Sequence, residues 1–516
     1  MVEVEDGGGV EVAEAHDAAS DELPPPTPPA SKDTSGEERW VLIRWGMVGV
    51  LTIGAFHATF TSILHQALAG DPIEFLIAAP VWAGLIAYGT RLRLPTALPI
   101  NDRQVDWTAA ALVFIPFIVI MELMAPRLGP SSQLWRVDVL GMWMFLLMAN
   151  ILLFGLRSVG RYLSVWLFLM ACWPIIFLGV GVSLGGTTAD YALVGVAYGA
   201  VATALSVDGG WRRWPLVAGA TGVVGVLLII ATSVLPPIVE RLVPGLLAAL
   251  GVTIAIRVGI IRRRPFVGQS RSSGKVVTKL RPTIVGLILL GVFLGVTSPA
   301  VPTGIDLADL VTARTSMLVH PVRLNGYKVQ GHQALPKVAG FFGPGASWLR
   351  VTYRGTRRSD LFVLDALTTT SPGLLSVYPT QVNYTYLTPP AAGPDLVGAC
   401  GVREESFGTN IAAIDTQEHQ IFVAVTFLWR IQRPKGPWYQ RITVFAPVGP
   451  QTLGSIPQPV KPITVGSVGS TLTDIIRGPL LYTTLPTDPQ ALPRAEHFAD
   501  ALISAEVRSQ GGHCDR

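Results

Sequence analysis

Apolar and polar positions along this chain follow two different rhythms. Up to about residue 303, apolar residues come in runs of about sixteen to twenty-four, separated by short polar turns. A helix of about twenty residues spans the hydrocarbon core of a bilayer, so each run predicts a membrane span. The runs are Trp45 to Leu68, Ile73 to Gly89, Trp107 to Ala125, Val139 to Leu156, Tyr162 to Leu184, Tyr191 to Ser206, Pro215 to Leu235, Ile238 to Ile261 and Pro282 to Pro299. Glu240, Arg241 and Pro244 shorten the eighth to about the minimum for crossing. The expectation is nine spans.

Beyond Gly304 the segments shorten and β-branched and aromatic residues concentrate between turn formers. Strands are expected at 347–356, 359–369, 375–387, 411–415, 420–432 and 438–446. A Pro/Gly-rich connection over 447–470 leads to helices near 471–477 and 488–508. The second has Thr487 and Gln490 in capping-box spacing and Ala495, Phe498, Leu502 and Ala505 along one face. The fold class is a polytopic α-helical membrane domain (39–303) followed by an α+β extracytoplasmic domain with an antiparallel sheet (304–516), large enough to fold as a unit. Residues 1–38 hold eleven acidic side chains, one basic one, Gly7-Gly8-Gly9 and a Pro24–Pro29 cluster. They bury too little to offset chain entropy, which predicts a disordered cytoplasmic tail and makes the first run a retained anchor rather than a cleaved signal.

Charge then orients the array. Arg257 to Arg281 carries eight basic residues and no acidic one, among them Arg262, Arg263, Arg264, Arg271, Lys275, Lys279 and Arg281. Held at the inner face, this loop contacts anionic headgroups and sends the last run outward. Lys and Arg at the loops number fifteen on the inner side against three, Arg127, Arg136 and Arg241, on the outer. The expected placement is the cytoplasmic membrane, N-terminus inside and the C-terminal domain outside. With 50% hydrophobic and 14% charged residues and a mean hydropathy of +0.46, the composition agrees. The basic excess sits in membrane loops, so it predicts no nucleic-acid partner.

Ionisable residues at membrane depth are costly and mark candidate sites. His57, Thr61 and His65 share one helical face on the first span, Glu122 lies near the outer end of the third and Asn150 in the fourth. One reading is a polar site toward the outer leaflet with Glu122 and His57 or His65 as acid/base or proton-carrying groups; the other is interhelical hydrogen bonding with Glu122 snorkelling toward the interface. Cys172 reads as a buried thiol before a proline. In the outer domain Cys400 is a weak nucleophile candidate beside Arg403, with His320, His332, His419, His497 and His513 as bases; His419 falls in an expected hairpin turn. Cys400 and Cys514 share an exported placement, which predicts a disulfide that competes with the nucleophile reading. The sequence has no GxxxxGK[ST], HExxH or CxxC and no GxSxG in a strand-turn-helix setting, so no cofactor or metal is implied.

The layout resembles the exosortase/archaeosortase family, polytopic bacterial membrane proteins of which some carry an outer exosortase-associated domain of about this size. GLRSVGRYLSVWLFLMACWPIIFL is similar to the run in which a basic turn precedes a long apolar segment. SDLFVLDALTTT, a Cys-containing loop, IFVAVTFLWR and WYQRITVFAP are similar in order to strands of the associated domain. The resemblance covers most of 40–510 and implies thiol peptidase or transpeptidase chemistry on exported proteins. The family cysteine stands in an Ala-Cys-Ser/Asn-Gly context at a membrane helix, with Arg and His on later spans. Here Ala399-Cys400-Gly401 lies in the outer domain, and Ala171-Cys172-Trp173 lacks the glycine, so no site residue carries over. The functional expectation is an envelope protein acting in export, sorting or surface-polymer assembly through its outer domain. A membrane thiol peptidase and a transporter are the alternatives.

Overall fold

The structure is a computed structural model. It describes residues 34–509 apart from 69, 94–102, 129–131, 208–212, 264–280, 298–309, 311, 314–319, 336–341, 344, 357–360, 381–382, 385–390, 413–418, 435 and 449–489. Residues 1–33 of the expected disordered tail, the helix near 471–477, Thr487, His513 and Cys514 lie outside the described residues; the tail expectation is corrected over 34–38, which open the first helix.

The helical part runs α1 (Thr34–Ala55), α2 (His57–Leu68), α3 (Phe75–Arg93), α4 (Arg103–Ile118), α5 (Ala125–Leu128), α6 (Ser132–Trp135), α7 (Val137–Phe154), α8 (Leu156–Gly160), α9 (Leu163–Ala171), α10 (Pro174–Leu184), α11 (Thr188–Ser206), α12 (Trp214–Thr232), α13 (Pro237–Arg263) and α14 (Arg281–Thr297). A π-helical stretch, Val119–Met124, extends α4. Among the described residues, six helices are long and apolar enough to cross a membrane, and up to eight spans result if each of two bent pairs is one span. The pairs are α1/α2, bent by 74°, and α9/α10, bent by 55°. At the second break Cys172 and Trp173 leave helical geometry ahead of Pro174, whose ring denies the helix an N–H and clashes with the preceding turn. At the first, α14 approaches closely: a Cβ on Gly295 would lie 2.9 Å from the Gly54 carbonyl. Small residues serve the same end between α11 and α13, where a Cβ on Gly199 would come 2.5 Å from Gly245 O.

Connections that alternation places on one side gather at one end of the array. Asp106 accepts from Leu156 N at 2.6 Å, and Arg257 donates to Ser206 O at 2.9 Å, at one end. The turn after α2, Arg136 and Arg241 meet at the other end, together with the outer domain.

The outer sheet has the order β2-β3-β4-β8-β7-β6-β5, antiparallel throughout, with the two-residue β1 (Thr312–Ala313) pairing parallel to β7. The strands are β2 (Tyr327–Ala334), β3 (Ser347–Gly355), β4 (Leu361–Thr369), β5 (Ala391–Val397), β6 (Arg403–Ala412), β7 (His419–Arg433) and β8 (Gly436–Pro447). Four of the expected strands match β3, β4, β7 and β8; of 411–415, residues 411–412 end β6 and 413–415 lie outside the described residues. The expected strand at 375–387 is corrected at its start: Pro372–Val377 is a short helix, while 381–382 and 385–387 lie outside the described residues. Pro372 at the first helical turn starts that helix, and its apolar residues are buried. His419 opens β7 opposite Ala412 rather than sitting in a turn.

Period-two alternation sends the residues of β3, β4, β7 and β8 to two different cores. Val351, Tyr353, Phe362, Leu364, Phe427, Trp429, Ile442 and Val444 pack against the C-terminal helix, Ala491–Ser509, through Ala495, Phe498, Leu502 and Ile503. Trp348, Val363, Leu367, Phe422, Tyr439 and Phe445 belong to one continuous core with Phe75, Trp135 and Phe177 of the helical array. The sheet is therefore a middle layer, buried on both faces at β4.

Candidate functional site

The junction between array and outer domain begins with a helix stop. Gly70 (φ +85) ends α2, its N–H bonding Ala67 O at 3.1 Å while Asp71 N bonds Gln66 O at 2.9 Å. These two bonds form a Schellman motif, which only a residue tolerant of left-handed geometry completes easily, and Pro72 prevents the helix from resuming. Asp71 and Glu74 are thereby turned into the protein, and both are almost completely buried.

Two arginines meet them. Arg241 of α13 pairs through Nε with Glu74 Oε1 and donates from Nη2 to Gly70 O at 2.7 Å. Arg136 precedes α7 in left-handed conformation (φ 43), a costly geometry for a non-glycine residue, and its guanidinium is fully buried. It is held by Asp138 (Nε to Oδ1, 3.0 Å; Nη2 to Oδ2, 2.8 Å), Ser62 Oγ (3.2 Å) and Gln66 Oε1 (2.9 Å). The outer domain closes the cluster through its Pro372–Val377 helix, so near that a Cβ on Gly373 would collide with Asp71. Asp71 keeps both carboxylate oxygens without an aligned hydrogen bond, as do Glu74 Oε2 and the hydroxyl of buried Tyr191 on α11. Burial pushes the Asp71 carboxyl well above the usual carboxylate range and the Glu74 charge adds to this; Ser376, Arg241 and Arg136 oppose it.

The residues singled out from sequence stand elsewhere. His57, Thr61 and His65 do share a face of α2, but that face points away from the rest of the protein, and Thr61 Oγ1 bonds back to His57 O at 3.0 Å. The buried face of α2 carries Thr59, Ser62, Ile63, Gln66 and Ala67. Glu122 is exposed in the π-helical stretch, and buried Asn150 donates to Leu146 O of its own helix at 2.8 Å. The structure does not gather these five into one site. Cys172 is a free, fully buried cysteine. Cys400 (φ 60) sits with Gly401 (φ 70) in the tight connection from β5 to β6, where Gly398 N bonds Val402 O at 2.8 Å. It is not among the free cysteines of the described residues. His320, His332 and His497 are exposed. Of the basic loop, Arg264, Arg271, Lys275 and Lys279 lie outside the described residues, as do the side chains of Arg262, Arg263 and Arg281. Among the described residues, no group of three or more His, Cys, Asp or Glu is placed to hold a metal ion.

Sequence reasoning passed over Asp71, Glu74, Arg136, Arg241 and Tyr191 as a group. The signal available was local: Gly70-Asp71-Pro72 announces a fixed helix stop carrying a carboxylate. No protein-family model, curated protein or solved structure matches this chain.

Proposed function

We propose that the chain is a nine-span protein of the bacterial cytoplasmic membrane that presents its outer domain as a fixed platform in export, sorting or surface-polymer assembly. The observation that carries this reading is the core shared by the sheet and the helical array, which turns one sheet face into the roof of the array instead of leaving a tethered module. Support for the topology comes from the gathering of alternate connections at opposite ends and from the basic loop after α13, with α14 as the ninth span. A probe cysteine at Ser272 is then labelled by an impermeant maleimide only after the membrane is opened, and one at Ser455 is labelled in intact cells with a permeable outer layer. The reverse pattern sinks the topology.

The resemblance to exosortases stays part of this proposal as architecture. Thiol catalysis needs an accessible thiolate, and the burial of Cys172 argues against that alternative. Cys400 is proposed to bond Cys514: the Cys400 turn lies against the C-terminal helix, where Ala399 N donates to Asp500 Oδ1 at 2.5 Å, and Cys514 follows that helix by five residues. A linked 400–514 peptide in a non-reduced digest is the expected result, and readily alkylated Cys400 revives the thiol enzyme. The bent pairs α1/α2 and α9/α10 favour a second reading, a transporter, because broken helices line many transport sites. Affinity capture in mild detergent separates the readings. Co-purified exported proteins or polymer-synthesis enzymes support the platform; solute movement by the purified protein in liposomes supports the transporter.

A further inference from the structure

The junction cluster carries an imbalance of charge. Arg136 and Asp138 form a bidentate, self-neutralising pair. That leaves Asp71 and Glu74 against Arg241, two carboxylates for one guanidinium, in a place closed to water. An uncompensated buried charge is costly by several kcal/mol, so the cluster needs one more positive charge. Glu74 already accepts from Arg241, whereas no cation bonds either oxygen of Asp71, which has only the neutral Ser376 hydroxyl beside it.

We propose that Asp71 binds a proton, and that this proton controls how tightly the Pro372–Val377 helix of the outer domain seats on the helical array. The groups facing Asp71 come from every neighbouring element. Directly around it are Glu74 on its own turn, Arg241 on α13, Arg136 before α7 and Ser376 from the outer domain; behind these stand Asp138 on Arg136, Glu240 beside Arg241, and Tyr191 and Asp190 on α11 with Tyr378. Asp190 is occupied by its capping box with Thr187. Gly373 packs directly on the Asp71 backbone and carboxyl, so a charge left there is solvated only by water entering between helix and turn. Losing the proton therefore loosens this contact, and gaining it restores the seat. The device makes presentation of the outer domain responsive to proton activity outside the membrane, whichever partner the domain holds.

The test uses the full chain in lipid nanodiscs. Infrared spectra at neutral pH should show a protonated-carboxyl carbonyl band that Asp71→Asn removes. Amide exchange over 372–378, corrected for the intrinsic rate, should rise about tenfold from about pH 6 to about pH 9 in the unmodified protein and stay flat in Asp71→Asn. A band unchanged by Asp71→Asn, or the same rise in both proteins, overturns the proposal. If Asp71→Asn does not accumulate, Glu74→Gln decides. Removing the excess charge should let Asp71 ionise at lower pH, and a carboxyl band that titrates as before rejects the mechanism.

Discussion

The two faces of the outer sheet are built from the same strands by different chemistry. Toward the C-terminal helix the contact is apolar and aromatic: Phe498 stacks on Phe362 (4.5 Å between centroids, 11° between planes) and meets Tyr353 and Tyr327 edge-on. Toward the helical array, Arg350 clasps Asp365 through two 2.7 Å bonds, and Tyr384 donates to Asp365 Oδ2 at 2.8 Å. Arg441, pulled down to about 10 by burial, donates to the carbonyls of Tyr378 and Leu375. Those carbonyls belong to the segment that seats on Asp71. A helix with one apolar stripe can be held by burial alone, which is strong but tolerant of small rotations. A sheet face set on the ends of several helices requires directional bonds that allow one orientation, and this face has them.

Breaking the polar face should have the largest effect. Asp365→Ala leaves Arg350 buried without its partner, for an expected loss of about 3–5 kcal/mol in denaturant titrations of the detergent-solubilised protein. Pairing it with Arg350→Met should recover most of that loss; a double variant no better than Asp365→Ala would show that the network does more than balance charge. On the apolar face, Phe498→Ala should cost about 3–5 kcal/mol at most, and less if Leu502 and Ile503 close over the gap. It should release the C-terminal helix to proteolysis while 372–378 stays protected. Simultaneous exposure of both would mean that the two faces are not separate.

A pH series sharpens the comparison, because the apolar face hides a carboxyl whose charge is strongly disfavoured. Glu404 is buried with Oε1 unpartnered, and burial, then the Asp500 and Glu496 charges, raise it to about 8. An acid whose folded value is raised contributes its full stability below the unfolded value, and loses it as pH climbs through about 8. Unfolding free energy should therefore fall from about pH 5 to about pH 9 by on the order of 1–3 kcal/mol more in the unmodified protein than in Glu404→Gln. Parallel pH curves would remove Glu404 as the cause. The smallest effect is expected at the outward face of α2, where His65→Ala should shift stability by less than about 0.5 kcal/mol. Gln66→Ala, one residue on, should cost about 1–3 kcal/mol by leaving an Arg136 donor unpaired.

That last pair shows where the sequence could be read and where it could not. The four-residue spacing of His57, Thr61 and His65 is visible to the eye and correctly puts them on one face, but spacing does not say which face turns inward. The face that does carries Ser62 and Gln66, two unremarkable polar residues whose partner, Arg136, lies some seventy positions away. Arg136 and Arg241 counted in the sequence as outer-loop charges, and the structure makes them the buried cations of a junction. The strand at 375–387 failed for a related reason. Its described residues Leu375, Val377, Tyr378 and Tyr384 are buried, as expected of a strand, but Leu375 and Val377 belong to a short helix packed in the core shared with the array.

Hydrophobic run length was enough to place a series of apolar helices long enough to cross a membrane ahead of a sheet domain, because the cost of burying backbone in lipid acts residue by residue. Alternation likewise placed β3, β4, β7 and β8, since a strand with two buried faces declares itself locally. The order of the strands, the choice of buried face on α2, and the meeting of Asp71, Glu74, Arg136, Arg241 and Pro372–Val377 were decided only by tertiary structure. Each depends on pairing groups from distant parts of the chain, and a buried polar group is satisfied or orphaned only by what the rest of the fold brings to it.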